Sequence, residues 1–174
     1  MESVIELISY FLYMALATTL LPLPTQPPPI YLGQFYSPYL IAFLGALGAA
    51  CSHFCEYHVI RFFLEKGKLK WLNENPKLEK IKAKVKDHLF WGLLISAATG
   101  IVPSDLVRLF STLTKFNPFL ASLAIFIGRF PRYFMWAYLG QQFKISFQTL
   151  ALLFVILLLL ALFHMVRRRR LLPV

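Results

Sequence analysis

Charged side chains are scarce in this chain, and the scarcity restricts the class of protein. Only 15% of the residues are charged and 58% are hydrophobic, with a mean hydropathy of +0.62. In a typical soluble domain about a quarter of the residues are charged. The composition leaves no room for a sizeable soluble domain within the 174 residues. It predicts one all-α integral membrane domain.

Cysteine is also scarce, since only Cys51 and Cys55 occur. They lie four residues apart in an apolar helical stretch, where a disulfide framework is not expected. His58 shares their helix face and His53 is close, but all four come from one helix, so packing is favoured over zinc binding. Glycine-rich phosphate loops, nucleophile triads and paired hydrolase carboxylates are missing as well. We therefore expect no metal, no cofactor and no enzyme.

Lysine and arginine are absent before Arg61 and clustered after it. Eight lysines lie between Lys66 and Lys86, and four arginines occupy Arg167–Arg170. Basic residues mark the cytoplasmic loops of membrane proteins, so we expect both clusters on the cytoplasmic side and the N-terminus outside. This pattern favours topology over nucleic-acid binding. It predicts a multi-pass protein of the plasma (inner) membrane with a cytoplasmic C-terminus.

Hydropathy, prolines and the basic clusters divide the chain into seven segments. These are a first re-entrant hairpin (1–37), a spanning helix (38–64), a basic amphipathic cytoplasmic segment (65–88), a second re-entrant hairpin (89–116), two further spanning helices (117–143 and 144–167) and a basic tail (168–174).

The second hairpin follows from counting membrane crossings. If residues 89–116 crossed the membrane, three crossings would place the two basic clusters on opposite sides. A segment that enters and returns leaves two crossings, so we expect a hairpin with its tip near Pro103. The proline-rich residues 21–29 favour a similar hairpin at the start, with a simple span and an external proline loop as the alternative. Two opposed hairpins form an inverted repeat, as in secondary transporters, inferred here from hydropathy and prolines only.

Four ionisable residues lie in an apolar stretch that prolines at 103 and 131 interrupt; they are Asp105, Arg108, Arg129 and Arg132. Ionisable groups are costly at membrane depth, so they usually line a pathway, bind a ligand or pair with each other. Arg129 and Arg132 are three residues apart and share a helix face. Because guanidinium groups match phosphate geometry, we expect this pair to bind a lipid phosphate. The alternative is an internal ion pair with Asp105 or Glu56.

Asp105 follows Pro103 and Ser104 at the start of a predicted helix. It either complements the helix dipole, with Ser104 as the N-cap, or acts as a titrating counter-ion that releases an arginine when protonated. Arg108 could neutralise Asp105 within the same helix. Glu56 is the second candidate for the proton or counter-ion role, with partial solvation near the cytoplasmic end of its helix as the alternative.

Four sequence pieces together resemble a known family. They are ATTLLPLPTQ (Ala17–Gln26), FLGALGAA (Phe43–Ala50), the hairpin tip with Asp105, and IGRFPRYFMWAYLG (Ile127–Gly140). In this order and spacing they resemble the DedA/VTT (SNARE-associated) membrane protein superfamily, and in particular its small bacterial YqaA-like branch.

The resemblance implies two opposed re-entrant hairpins and a role in moving lipids across the bilayer. Relatives are associated with scrambling phospholipids or recycling polyprenyl-phosphate carriers, some of them coupled to protons. Family members commonly carry an acid just after the proline of the first hairpin, whereas Pro24 is followed here by Thr25 and Gln26. Any proton-linked role therefore rests more on Asp105. Arg129 and Arg132, next to Gly128, match the arginine motif of the family.

We therefore expect a membrane lipid translocator that moves a phosphate-bearing lipid, either an anionic phospholipid or a polyprenyl phosphate, with a proton as a second partner. The alternatives are a membrane-embedded enzyme acting on lipid phosphates and a scaffold that transports nothing. Assembly as a homo-oligomer is left open.

A topology reporter tests the second hairpin. Inserted at residues 115–117, the reporter should be cytoplasmic, because a re-entrant segment returns to the side from which it enters. An external position, measured by cysteine accessibility or an enzyme fusion, would overturn the hairpin and the proposed placement of the site.

Overall fold

A computed structural model describes residues 2–19, 24–66, 85, 88–100, 104–144, 149 and 152, with the side chains of 2, 104 and 105 excluded. The regular structure of these residues is helical throughout, which confirms the all-α class. The helices are α1 (Glu2–Ala17), α2 (Pro27–Leu32), α3 (Pro38–Lys66), α4 (Leu89–Thr99), α5 (Ser104–Leu113) and α6 (Pro118–Phe143). Most of the basic segment 65–88 and the predicted final helix and tail lie outside the described residues.

Local sequence explains where α4 and α6 begin and end. Asn117 caps α6, its side-chain oxygen accepting from the Phe119 amide at 2.9 Å, as short polar residues do at helix starts. Proline follows at the first helical position, where its missing N–H costs nothing. Gly100 ends α4 in the left-handed conformation (φ 67°) and donates its N–H to the Ser96 carbonyl, as glycine commonly does there.

Length separates α3 from the shorter helices. With 29 residues and a mean hydropathy of 1.4 in its most apolar window, α3 is about 43 Å long at 1.5 Å per residue. It is the one helix among the described residues that is long and apolar enough to span a membrane. With 11 and 10 residues, α4 and α5 are each too short to cross a hydrocarbon core of about 30 Å. The re-entrant hairpins and the inverted repeat stay predictions.

Proline 131 does not end α6. The helix runs without a break through Pro131 to Phe143, although a proline removes one backbone hydrogen bond and crowds the preceding turn. Arg129 and Arg132 therefore lie on one continuous helix.

The two long helices α3 and α6 pack against each other at the centre of the bundle. The helices form two halves, the first with α1, α2 and α3 and the second with α4, α5 and α6. Helix α1 packs on α3 and α4 packs on α6, so the first helix of each half lies against the long helix of its own half. Conversely, α2 packs on α6 and α5 packs on α3. The second helix of each half thus lies against the long helix of the other half, so the contacts with the two long helices match between the halves.

Gly48 and Gly128 have equivalent atomic contacts in the two halves. Each is the eleventh residue of a long helix that starts with proline. A Cβ on either would meet the same three atoms of the crossing helix: a carbonyl oxygen, the Cβ three residues later and the amide nitrogen four residues later. These atoms belong to Phe11, Met14 and Ala15 for Gly48, and to Leu94, Ala97 and Ala98 for Gly128. The α1–α3 and α4–α6 crossings are therefore built in the same way.

Aligning the two halves at Gly48 and Gly128 reveals a correspondence in the sequence that hydropathy alone does not show. Ser37-Pro38-Tyr39-Leu40 aligns with Asn117-Pro118-Phe119-Leu120. Both stretches place a short polar residue, a proline, an aromatic residue and a leucine at the start of a long helix. The two halves thus share residues as well as contacts.

Alanine at Gly48 or Gly128 should destabilise the bundle. The added Cβ would lie 2.8 Å from the Phe11 carbonyl oxygen or 2.5 Å from that of Leu94, and backbone atoms cannot move aside as a flexible side chain does. We expect each substitution to lower the free energy of unfolding by about 1–3 kcal/mol, measured by thermal unfolding in detergent.

Gly92→Ala is the matched control. Its Cβ would meet only Val107 Cγ1 at 3.8 Å, and alanine is the better helix former, so its melting temperature should be unchanged or higher. Equal losses from all three substitutions would contradict the close crossings.

Candidate functional site

Arg108 carries a positive charge that is buried inside the bundle. It is 3% exposed and reaches from α5 into the space between α1 and α3. Its Nε donates to His53 Nδ1 at 3.2 Å, its Nη1 donates to the Thr18 carbonyl oxygen, and its Nη2 forms an ion pair with Glu56 Oε2. A buried charge is tolerated when it is paired and hydrogen-bonded in this way.

The contact with Thr18 places the guanidinium at the C-terminal end of α1. Thr18 is the first residue after that helix, where carbonyl groups lack helical partners. The helix macrodipole makes this end partly negative. Arg108 thus satisfies an orphan carbonyl and places a positive charge where the dipole favours it.

His53 is a buried hydrogen-bond partner of Arg108. Because its Nδ1 accepts a hydrogen bond from Arg108, the ring is neutral with its proton on Nε2. The ring is 1% exposed, and its Nε2 has no hydrogen-bond partner among the described residues.

Arg129 and Arg132 lie on α6 and are partly buried. Arg129 Nη1 donates to the Tyr133 hydroxyl at 3.1 Å. The Arg132 guanidinium lies against Gly100, close enough that a Cβ there would be 2.6 Å from its Nη1. Within the part of the chain that the structure describes, neither guanidinium forms an ion pair with a carboxylate.

The structure brings Glu56 and Arg108 together. Glu56, for which partial solvation was the alternative, has a side chain that is only 9% exposed. It is paired with Arg108 rather than with Arg129 or Arg132. Pro103 and the side chains of Ser104 and Asp105 lie outside the described residues, and the neutralisation of Asp105 by Arg108 stays one of the possibilities that the sequence offers.

The remaining predicted residues lie elsewhere. Gln26 directly precedes α2, and its side chain forms no capping hydrogen bond. The Pro24 carbonyl accepts from the Tyr13 hydroxyl at 2.8 Å. Gly128 lies at the α4–α6 crossing, where it has a packing role.

Sequence reasoning missed Thr18 and gave His53 too little weight. His53 and Glu56 are three residues apart, which places them on one helix face, so this spacing could have indicated a joint partner. Thr18 contributes a backbone carbonyl, and no side-chain pattern could have identified it.

Comparison with known protein families gives a match over most of the chain. The sequence model of the VTT domain family matches residues 21–142, a range that includes α2 to α5 and nearly all of α6. No curated protein and no solved structure matches the chain.

Removing one partner of the buried Arg108–Glu56 pair should destabilise the protein far more than replacing both partners by apolar residues. Arg108→Met leaves the Glu56 carboxylate buried and uncompensated, so we expect a loss of about 3–5 kcal/mol in the free energy of unfolding. The double variant Arg108→Met/Glu56→Leu should recover much of this loss. Thermal unfolding in detergent measures both.

Arg61→Met provides the control, since it breaks a 2.8 Å pair with Glu65 whose side chains are 41% and 46% exposed. Exposed pairs contribute less than about 1 kcal/mol. If Arg108→Met were as stable as Arg61→Met, the buried pair would contribute no more to stability than the exposed one.

Proposed function

The chain belongs to the VTT domain family, the DedA/SNARE-associated family of membrane proteins, and from this we propose that it moves a phosphate-bearing lipid across the bilayer. A lipid transport role has been proposed for the family, which is generally regarded as transporter-like rather than enzymatic. The cargo would be an anionic phospholipid or a polyprenyl phosphate.

The observation that carries the proposal is the difference between the arginines. Arg108 has a carboxylate partner, whereas Arg129 and Arg132 have none among the described residues. Uncompensated cations are costly at membrane depth, and an anionic ligand removes that cost. A phosphate oxygen pair fits the guanidinium fork, so Arg129 and Arg132 would hold the phosphate of the lipid.

The pair of Arg108 and Glu56 would act as the counter-ion element beside this site. Protonation of Glu56 would remove the negative charge that holds Arg108. Asp105, at the start of the same helix as Arg108, is the second acid in the proposal. A proton could in this way change the net positive charge that the phosphate meets.

The matching contacts of the two halves support an inverted repeat. Each half would contain a hairpin, α1–α2 or α4–α5, and a spanning helix, α3 or α6. In transporters with such repeats, substrates bind near the midplane where broken helices meet. The protein would lie in the plasma (inner) membrane with its C-terminus in the cytoplasm.

Reconstitution in liposomes tests the proposal. Fluorescent phosphatidylglycerol, and a labelled polyprenyl phosphate in a parallel series, should move between leaflets in the presence of the protein. Arg129→Ala/Arg132→Ala should lower the rate at least tenfold, since a charged hydrogen bond contributes about 1.5–3 kcal/mol. Lysines at the same positions should retain part of the rate because they keep the charge but lose the fork.

Arg61→Ala is the matched control, because it removes an exposed arginine at the end of α3 and should leave the rate unchanged. No movement of either lipid by the wild type would contradict translocation. Unchanged movement in the double variant would contradict phosphate binding by the α6 arginines.

A further inference from the structure

The hydroxyl of Tyr133 holds the guanidinium of Arg129. It accepts a hydrogen bond from Arg129 Nη1 at 3.1 Å, and the two residues are four positions apart, which places them on one face of α6. Arg129 is partly buried, whereas Tyr133 is 1% exposed. A long cationic side chain is therefore tied to a ring inside the bundle.

Packing between helices fixes the ring of Tyr133. It lies in a core cluster with Tyr10 of α1 and Ile41 and Ala42 of α3. A Cβ added to Gly45 would be 3.0 Å from Cδ2 of Tyr133, so the ring lies directly on the backbone of α3. Side chains in a close-packed interior keep one rotamer. The position of the hydroxyl is thus set by the packing of α6 on α3, and the hydrogen bond passes this constraint on to Arg129.

The first half of the bundle contains an equivalent contact. When the halves are aligned at Gly48 and Gly128, His53 and Tyr133 occupy the same position, five residues after the glycine. Both are 1% exposed. His53 Nδ1 accepts from Arg108 Nε at 3.2 Å, as the Tyr133 hydroxyl accepts from its own arginine. Each long helix therefore presents a buried ring that accepts a hydrogen bond from an arginine.

The two halves differ in the counter-charge of that arginine. Glu56, eight residues after Gly48, pairs with Arg108. The residue eight positions after Gly128 is Trp136, whose indole nitrogen donates a hydrogen bond but cannot accept one. Trp136 therefore cannot act as a counter-ion. The arginine of α6 is held by a neutral acceptor, which leaves its positive charge in place.

The structure assigns to Tyr133 the role of a positioning residue, which fixes the Arg129 guanidinium for an anion without cancelling its charge; this role rests on the proposed function. Ordering a flexible side chain on binding costs free energy, and an arginine that is already held has less freedom to lose. A carboxylate at this place would hold the guanidinium equally well but would compete with the phosphate.

Removing only the hydroxyl of Tyr133 tests this role. In the liposome assay, Tyr133→Phe should raise the mole fraction of labelled lipid at half-maximal rate about two- to tenfold, the effect of one net hydrogen bond. The melting temperature in detergent should stay close to that of the wild type, because phenylalanine fills the same space in the core. A lower melting temperature with unchanged half-saturation would show a purely structural role and overturn the proposal.

Tyr10→Phe is the matched control. It removes a hydroxyl from the same core cluster, on a residue that is 3% exposed. This hydroxyl has no hydrogen-bond partner among the described residues, so its loss should leave the half-saturation unchanged. An equal shift in both variants would mean that the cluster, and not the contact with Arg129, determines the result.

Chemical modification tests the contact without any transport. Phenylglyoxal reacts with arginine side chains, and mass spectrometry of the full chain in liposomes gives the rate at each position. Arg129 should react faster in Tyr133→Phe than in the wild type, because its guanidinium is no longer held. Arg132 is the internal control, since its guanidinium lies against Gly100, and its rate should not change. Equal rates at Arg129 in the two proteins would contradict the positioning role.

The two proposals fail in different ways. If the wild type moves neither labelled lipid, the proposed function is wrong and the role of Tyr133 falls with it. If Arg129→Ala/Arg132→Ala slows transport while Tyr133→Phe matches the wild type, the phosphate site stands and only the role of Tyr133 is wrong.

Discussion

The burial of Arg108 requires three separate segments of the chain to meet at one point. Its guanidinium contacts the end of α1 through Thr18 and the middle of α3 through His53 and Glu56. A buried charge without such partners would be strongly unfavourable. The cluster therefore helps to hold α5 against α3, and α1 ends next to a cation that the carbonyl of Thr18 contacts.

The close helix crossings fix the frame around that cluster. Gly48 and Gly128 allow α1 and α4 to approach the long helices with backbone in contact with backbone, as small residues do between membrane helices. The same atoms meet in both halves, and the short second helices exchange partners between α3 and α6. The polar cluster lies where α5, from the second half, packs on α3, from the first. Charge is thus located at the junction of the halves.

The arginines divide into two kinds, and this division supports the functional proposal. Arg108 is held by protein groups and serves the fold, while Arg129 and Arg132 lie partly buried without a carboxylate among the described residues.

The sequence alone determined the helical class, the family and the long helices, because apolar composition, proline positions and short motifs are local properties. It also singled out Glu56 and Arg108 as charges in apolar surroundings. It could not pair them, since they are 52 positions apart in the chain and spacing along a helix is informative only within a few turns. The contact with Thr18 uses a backbone carbonyl, which every residue has, so the residue type does not indicate it. Only the tertiary structure decided that Glu56 neutralises Arg108, because that choice depends on which helix faces pack together.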